Sequence, residues 1–480
     1  MADNPVVINE QPEWVEPLLA LMPDDKVEAT EEGTGNANKQ ARVLDARTRY
    51  LLGEVNTLTT KVNAVSNDRL PFNRNIVVYG DSRAYQCVKG NVGLAFWTSA
   101  KTEGVVAFPD AMNAGVDGNT TSQQAQRLPQ LLASLDKFDV IIHLGSGNDR
   151  LRNQTFNETI NNLSEIYTTL LANGKTVIAI AETPVEQAAI GISDEQLAIH
   201  YQVHQWMLSE LPKRGVIVVN PWDDMVEPGN VNKPLAGMLG DGVHPSPKGA
   251  EIIGNHVAAV VSKLFKNTIT LPTSYIPFST TPPETAHFFG SINPNPLLTG
   301  NDGSAGNSGG ATITTVEIAS NTGIGGNQLT GLTVAITKEA NPSGGEYQVM
   351  SFTGTPTGNQ PTLGMEQDLP ITNLTVGMKL VAQGRWAIQT DAEAVLQVGL
   401  ELEVTYQDDQ VQTVRSGQNV ELNYPLRQGD LSGIFDTQIL ELARAPKALK
   451  LRVMIVLKKG VAQTTTVRVG QLNTHLVFTP

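Results

Sequence analysis

Apolar and polar positions along this chain change period three times. From residue 38, Leu44, Leu51, Leu58 and Val65 recur every seven residues, and Thr48, Val55 and Val62 follow four after each of the first three. This a/d seam, about three heptads long, predicts an oligomerisation helix over residues 38–68. β-branched residues at a with leucine at d lean towards two strands rather than three, and a lone amphipathic helix would show the same spacing. From 70 to 266 the period switches. Short apolar runs at 75–79, 104–108, 138–144, 175–181 and 215–220 alternate with helical periodicity at 120–135, 157–171, 194–211 and 247–265. Alternating strands and helices of this length predict an α/β domain with a parallel sheet covered on both faces, whose reactive residues gather at the carboxyl ends of the strands. Beyond 311 the period becomes two, as in 394–406, 448–457 and 464–478, broken by Gly, Asn and Asp turns. That pattern predicts an all-β sandwich or jelly roll.

Composition sets the boundaries between these regimes. A chain of 480 residues is too long for one core and suggests roughly three domains. Residues 1–37 are acidic, carry Pro5, Pro12, Pro17 and Pro23, and read as an extended or partner-ordered arm. The α/β domain takes 69–268, a Pro/Gly-rich linker 269–310, and the sandwich 311–480. The net charge of -14 and the lack of clustered Lys and Arg argue against a nucleic-acid partner. No stretch approaches the ~20 apolar residues of a membrane span, so no membrane insertion is expected. Met1 to Ile8 lacks the basic and apolar regions of a signal peptide, so the expected product is soluble and made in the cytosol. With Cys87 as its one cysteine, the chain can form no internal disulfide.

Candidate chemistry sits at the ends of the predicted strands. The first runs into Gly80-Asp81-Ser82, a turn that can lift a serine off a sheet edge. Asn113-Ala-Gly-Val-Asp-Gly118-Asn-Thr-Thr follows and leads into a helix, and its backbone N–H groups could face an oxyanion. Gly115 is an alternative donor to Gly118. After the third strand, Gly145-Ser-Gly-Asn148-Asp-Arg offers an asparagine amide. Before the last helix, Asp241-Gly-Val-His244 places a carboxylate three residues ahead of an imidazole, near enough to hold the tautomer that accepts a serine proton. Other motifs lose on detail. Gly145-x-Gly147 would need a third glycine at Arg150 to bind a dinucleotide. His200 and His204 have zinc-pair spacing, but no glutamate follows His200, so they read as surface or packing residues. Trp206 reads as core and Cys87 as a buried small hydrophobe. No metal and no cofactor are expected.

Together the four blocks resemble the SGNH (GDSL-type) hydrolases, over about residues 70–266. One departure stands out: Ser146 occupies the place of the third block's glycine. The resemblance implies a three-layer flavodoxin-like fold, with Ser82 as nucleophile, His244 as general base and then acid, and Asp241 as its orienting partner. Ser82 N–H, Gly118 N–H and the Asn148 side chain would form the oxyanion hole. Asp81 and Asp149 would brace the loops. Asp117, Asn119 and Arg150 are candidate substrate-binding residues, because polar side chains around these loops suit sugar hydroxyls.

Two flanking stretches carry a second resemblance. Gln40-Ala41-x-x-Leu44-x-x-Arg47-Thr48-x-Tyr50-Leu51 is similar to a stretch near the N-terminus of bacteriophage tail fibre and tailspike proteins. Asn293-Pro-Asn-Pro-Leu-Leu-Thr-Gly300 is similar to the start of carbohydrate-binding-like C-terminal domains in such proteins. These likenesses imply a homotrimer in the virion, attached through its N-terminus to a phage tail or baseplate protein. The expected function is then a serine esterase that removes O-acetyl groups from a bacterial surface polysaccharide, capsule or O-antigen. A non-catalytic receptor-binding fibre and a general lipase or thioesterase are the rival readings.

Overall fold

The computed structural model describes residue 48 and residues 74–134, 138–265, 271–279, 290–417 and 423–477. The expected arm and, Thr48 apart, the heptad helix lie outside these residues. Residues 72–480 form one compact unit.

The first half of that unit is a five-stranded parallel sheet in the order β2-β1-β3-β4-β5. Its strands are β1 (Val77–Gly80), β2 (Asn113–Gly115), β3 (Val140–Leu144), β4 (Thr176–Ile180) and β5 (Ile217–Val219). The central strands β1 and β3 are buried at every position and apolar but for His143 of β3, as a sheet covered on both faces requires. Four long or short helices matter to the site: α1 (Ser82–Tyr85), α2 (Leu94–Lys101), α3 (Thr121–Ser134) and α4 (Gly147–Leu151). Then come α5 (Phe156–Ala172), α6 (Asp194–Glu210) and α7 (Pro247–Leu264). One face of the sheet packs Val78, Ile142 and Ile178 against Ile253, Val257 and Val261 of α7. The other packs Val77, Ile141 and Val177 against Leu163, Ile166 and Leu170 of α5 and Val203 of α6. This is the expected three-layer arrangement.

One local expectation fails, and one helix was not foreseen. The run 104–108 is not a strand of the sheet, and Asn113–Gly115 takes that place. Glu103 and Gly104 have φ of 56° and 73° and Pro109 follows, so the run is too short to extend, although Val105, Val106 and Phe108 are buried. Helix α2 escaped notice because seven of its eight residues are buried. A helix enclosed on all sides shows no amphipathic stripe.

The second half is a β-sandwich. Its first sheet has six strands, β6 (Ser304–Ser308), β8 (Gly323–Asn327), β11 (Thr362–Leu369), β13 (Val395–Tyr406), β14 (Val411–Ser416) and β16 (Pro446–Leu457). The facing sheet holds β7 (Thr312–Val316), β9 (Leu332–Ala340), β10 (Glu346–Gly354), β12 (Lys379–Thr390), β15 (Gly429–Asp436), β17 (Gln463–Leu476) and the short pair partner Leu440–Glu441. Val398, Leu400, Leu451 and Val453 of one sheet meet Val334, Met350, Trp386 and Val467 of the other in a single core.

The expected linker over 269–310 is corrected in its described residues. Ile292 and Leu298 are buried in the sandwich core, and Ser304–Ser308 is a strand of the six-stranded sheet. Asn293 donates to Gln367 (2.8 Å) and accepts from the backbone of Thr474 (2.6 Å). Prolines and glycines erase periodicity here, but asparagine side chains supply the hydrogen bonds that a regular backbone ladder would otherwise provide.

Candidate active site

The carboxyl ends of β1 and β3 run so close together that no side chain fits between them. Gly80 has φ of 148°, and a Cβ on it would lie 1.8 Å from the Leu144 carbonyl oxygen; one on Gly145 would lie 2.5 Å from the Asp81 nitrogen. At this junction the chain turns from β1 into α1. The Asp81 carboxylate caps that helix by accepting from Arg83 N–H (2.9 Å). Ser82 is therefore the first residue of a helix, where its own N–H has no intrahelical acceptor.

Ser82 meets a histidine 162 residues away: His244 Nε2 lies 2.8 Å from Ser82 Oγ. His244 Nδ1 lies 2.7 Å from Asp241 Oδ2, and Asp241 Oδ1 accepts from the backbone N–H of Val243 (3.0 Å) and His244 (2.8 Å). Burial by itself would raise the Asp241 carboxyl, but the hydrogen bonds from His244 and Val243 outweigh it and hold the group below the usual carboxylate range. An ionised Asp241 fixes the Nδ1–H tautomer and leaves Nε2 with a lone pair towards the serine. Such a relay can activate Ser82 as a nucleophile and return the proton to a leaving group.

The two further oxyanion candidates, Gly118 and Asn148, stand on separate loops. Gly118 is exposed, with φ of 74° and open space where a Cβ would stand. The Asn148 amide donates one N–H to the Asn119 carbonyl (3.1 Å), which ties the two loops together; an amide nitrogen carries a second N–H. Gly115 does not compete as a donor. Its N–H goes to Asn113 Oδ1 (3.1 Å), and a Cβ there would meet Tyr85 N at 2.0 Å, so its smallness serves packing against α1.

Of the three candidate substrate-binding residues, Asp117 is exposed on the rim and Asn119 is half-buried, with its side chain accepting from Arg127 Nε (2.8 Å). Arg150 is corrected: it is 2 % exposed and donates to Thr159 of α5. Its long apolar stem carries it inward to a buried polar layer. Asp149 is wholly buried and accepts from Thr121 N–H (2.8 Å), Thr121 Oγ1 (2.6 Å) and Thr159 Oγ1 (2.8 Å), pinning the start of α3 to α4.

Sequence reasoning missed Glu182. Just beyond β4, it accepts from Arg83 Nη1 (2.8 Å), Ser146 N–H (2.8 Å) and Ser146 Oγ (2.6 Å). Arg83 also pairs with Asp81 (3.0 Å). One buried carboxylate thus links the nucleophile turn to the Asn148 loop. Ser146, the departure from the glycine of the third block, is explained by this contact, since glycine offers no hydroxyl. Burial would raise the Glu182 carboxyl, yet Arg83, His200 and Ser146 pull it down to about 2. The only sequence signal was a carboxylate directly after an apolar run. His200 and His204 are both buried and bond to the carbonyls of Thr183 (2.8 Å) and Glu182 (3.0 Å); they hold the same segment. Cys87 is buried, and burial pushes its thiol up.

A parallel three-layer sheet with a serine, histidine and aspartate joined by hydrogen bonds at its carboxyl edge defines a domain of the serine acyl-transfer class. Residues 78–252 match the GDSL-like Lipase/Acylhydrolase family, and over that span the chain carries a GDSL-like acylhydrolase domain. No curated protein matches the chain. Among solved structures it is similar to a lipase/acylhydrolase from Enterococcus faecalis at 22 % identity, covering 41 % of this chain and 100 % of that one, with a TM-score of 0.33. A GDSL-like lipase from Bacteroides thetaiotaomicron is 19 % identical over 42 % of this chain and 97 % of its own, with a TM-score of 0.34. A carbohydrate acetylesterase family member from Sinorhizobium meliloti is 13 % identical over 40 % and 98 %, with a TM-score of 0.30.

Proposed function

We propose that the protein is a phage tailspike esterase that removes O-acetyl groups from a bacterial surface polysaccharide, with Ser82, His244 and Asp241 as its catalytic residues. The observation that carries the chemistry is the unbroken chain from Ser82 Oγ to His244 Nε2 and from His244 Nδ1 to Asp241 Oδ2, at 2.8 and 2.7 Å. Ser82 Oγ attacks the ester carbonyl carbon while its proton passes to His244 Nε2. The tetrahedral oxyanion is met by the N–H groups of Ser82 and Gly118 and by the Asn148 amide. Collapse expels the sugar hydroxyl, which takes the proton from His244. Water then attacks the acyl-enzyme, gives its proton to His244, and the acid leaves as Ser82 is re-protonated.

The polysaccharide and the tailspike setting rest on the sequence likenesses at 40–51 and 293–300, and on the polar rim that Asp117 and Asn119 offer. In this reading the protein is a homotrimer on the virion, held through its N-terminus to a tail or baseplate protein. The test is to incubate the protein and its Ser82→Ala variant with capsule or O-antigen from a panel of hosts and follow acetyl signals by NMR. Acetate should be released by the wild type alone, with polymer length unchanged. Acetyl signals that stay intact throughout the panel would sink the deacetylase reading.

One observation favours a second substrate class. Tyr85, Val116 and Leu151, all more than a third exposed, stand within three residues of Ser82, Gly118 and Asn148 respectively. An apolar margin of this kind suits a longer acyl chain. A 4-nitrophenyl ester series decides between them: kcat/KM falling steadily beyond acetate supports the deacetylase, and a rise towards octanoate supports a lipase or thioesterase.

A further inference from the structure

The loop that carries Asp241 and His244 is gripped from outside by the sandwich. Tyr424, between β14 and β15, donates its hydroxyl to the Gly240 carbonyl, and its ring packs on the same residue. Gly240 in turn donates its N–H to the His244 carbonyl (2.8 Å), so it closes the short loop on which both side chains stand. The opposite flank is fixed by Glu186, whose N–H donates to the Gly242 carbonyl (2.8 Å). A Cβ on Gly242 would lie 2.6 Å from that of Ala189. The loop is therefore clamped between the short helix Gln187–Ile190 of its own domain, capped by Glu186, and a tyrosine of the other.

Tyr424 has a firm base. Leu426 is buried in the sandwich core, and its N–H donates to the Val395 carbonyl (2.8 Å). Arg427 then reaches back to Glu251 of α7 (2.8 Å), which is 4 % exposed, and Lys248 at the start of α7 pairs with Glu393. By contrast, the Asp241 side chain is 60 % exposed and its hydrogen-bond partners all belong to its own loop. Burial does not hold it in place; the path of the loop does.

We propose that Tyr424 is a positioning residue for the hydrolytic site, acting through Gly240 to keep His244 within reach of Ser82, so that the sandwich is a working part of the esterase. This rests on the reading of Ser82, His244 and Asp241 as an acyl-transfer site.

The test uses the full chain as wild type, Ser82→Ala, Tyr424→Phe and Tyr424→Ala. For each, 4-nitrophenyl acetate hydrolysis is followed from pH 5 to 9, Ser82 labelling by a fluorophosphonate is timed, and thermal unfolding is recorded. Removing the hydroxyl alone in Tyr424→Phe should lower kcat and the labelling rate by about threefold, and removing the ring by about tenfold or more, with KM nearly constant. A loss in kcat and labelling rate with KM held marks displaced catalytic groups rather than lost substrate contacts. Should Tyr424→Ala fail to fold, Tyr424→Phe carries the same comparison. Folded Tyr424 variants with wild-type kcat and labelling rate would overturn the positioning role while leaving the esterase intact. A wild type no faster than Ser82→Ala, and unlabelled at Ser82, would overturn the acyl-transfer reading and the positioning role with it.

Discussion

Glu182 shows how much of the site rests on a residue that touches no reacting group. Its carboxylate neutralises Arg83, which lies directly after the nucleophile, and receives two donors from Ser146, which precedes the Asn148 loop. Removing one partner of a buried ion pair leaves the other charge without compensation. Glu182→Gln keeps an acceptor for Ser146 but strips the charge opposite Arg83. Because Asp81 still pairs with Arg83, the expected loss lies at the low end for such pairs, about 3 kcal/mol by urea unfolding. Esterase kcat should fall as well. A variant as stable as the wild type would show that Asp81 alone suffices for Arg83.

At the scale of elements, the glycines of the strand ends divide into two kinds. Gly80 sits where β1 and β3 converge, and an added Cβ would strike the Leu144 carbonyl. Gly118 also has positive φ, but open space surrounds it. Gly80→Ala should therefore cost about 3 kcal/mol or more, from strain and overlap together. Gly118→Ala should cost only about 1–2 kcal/mol for the left-handed backbone, and its N–H remains in place for the oxyanion. Chemical unfolding of both variants, with esterase rates for the second, checks the contrast; equal costs would refute it. Elements with a one-sided apolar stripe, α3, α5 and α7, were legible in the sequence and lie within two residues of their expected bounds, as does α6 although its buried face is mostly polar. Helix α2 and the segment 290–303 were not. The first is buried on nearly all sides, and the second makes its order from side-chain hydrogen bonds and isolated buried residues, neither of which leaves a period.

Across the whole molecule, the α/β domain and the sandwich share apolar and ionic contacts. Phe96, Trp97 and Ala100 of α2 enter the sandwich core, with Phe96 stacked on Trp386 at 5.8 Å. Gly433 allows β15 to approach Ala100, since a Cβ there would stand 2.6 Å from the alanine's. Arg74 crosses the junction to a buried Asp436 (3.0 Å). Burial raises that carboxyl to about 6, against the pull of Arg74. A carboxyl raised on folding favours the folded state as pH falls from about 6 to its unfolded value near 4. Among the described residues, the buried histidines His143, His200, His204 and His475 and the carboxylate of Glu182 work the opposite way. Burial lowers His143 to about 3, so stability is lost as pH drops from about 6.5 towards that value. Glu182, held near 2, loses its contribution below about 4.5. Stability should thus fall already as pH drops below about 6.5, and more steeply below about 4.5. Asp436→Asn removes one compensating group, and its urea midpoint should fall more steeply than the wild type's between about pH 6 and 4. A profile parallel to the wild type would remove Asp436 from the balance.

By itself the sequence determined the parallel sheet, the sandwich and the four blocks with Ser82, Gly118, Asn148, Asp241 and His244. Each is written in short-range terms, as an apolar period or as residue types a few positions apart. Only the tertiary structure decided that His244 meets Ser82, that Glu182 stands 99 residues from its Arg83 partner, and that Tyr424 reaches across 184 residues to Gly240. Local periodicity fixes which face of an element must be covered; which partner covers it depends on packing between parts of the chain that no local pattern connects.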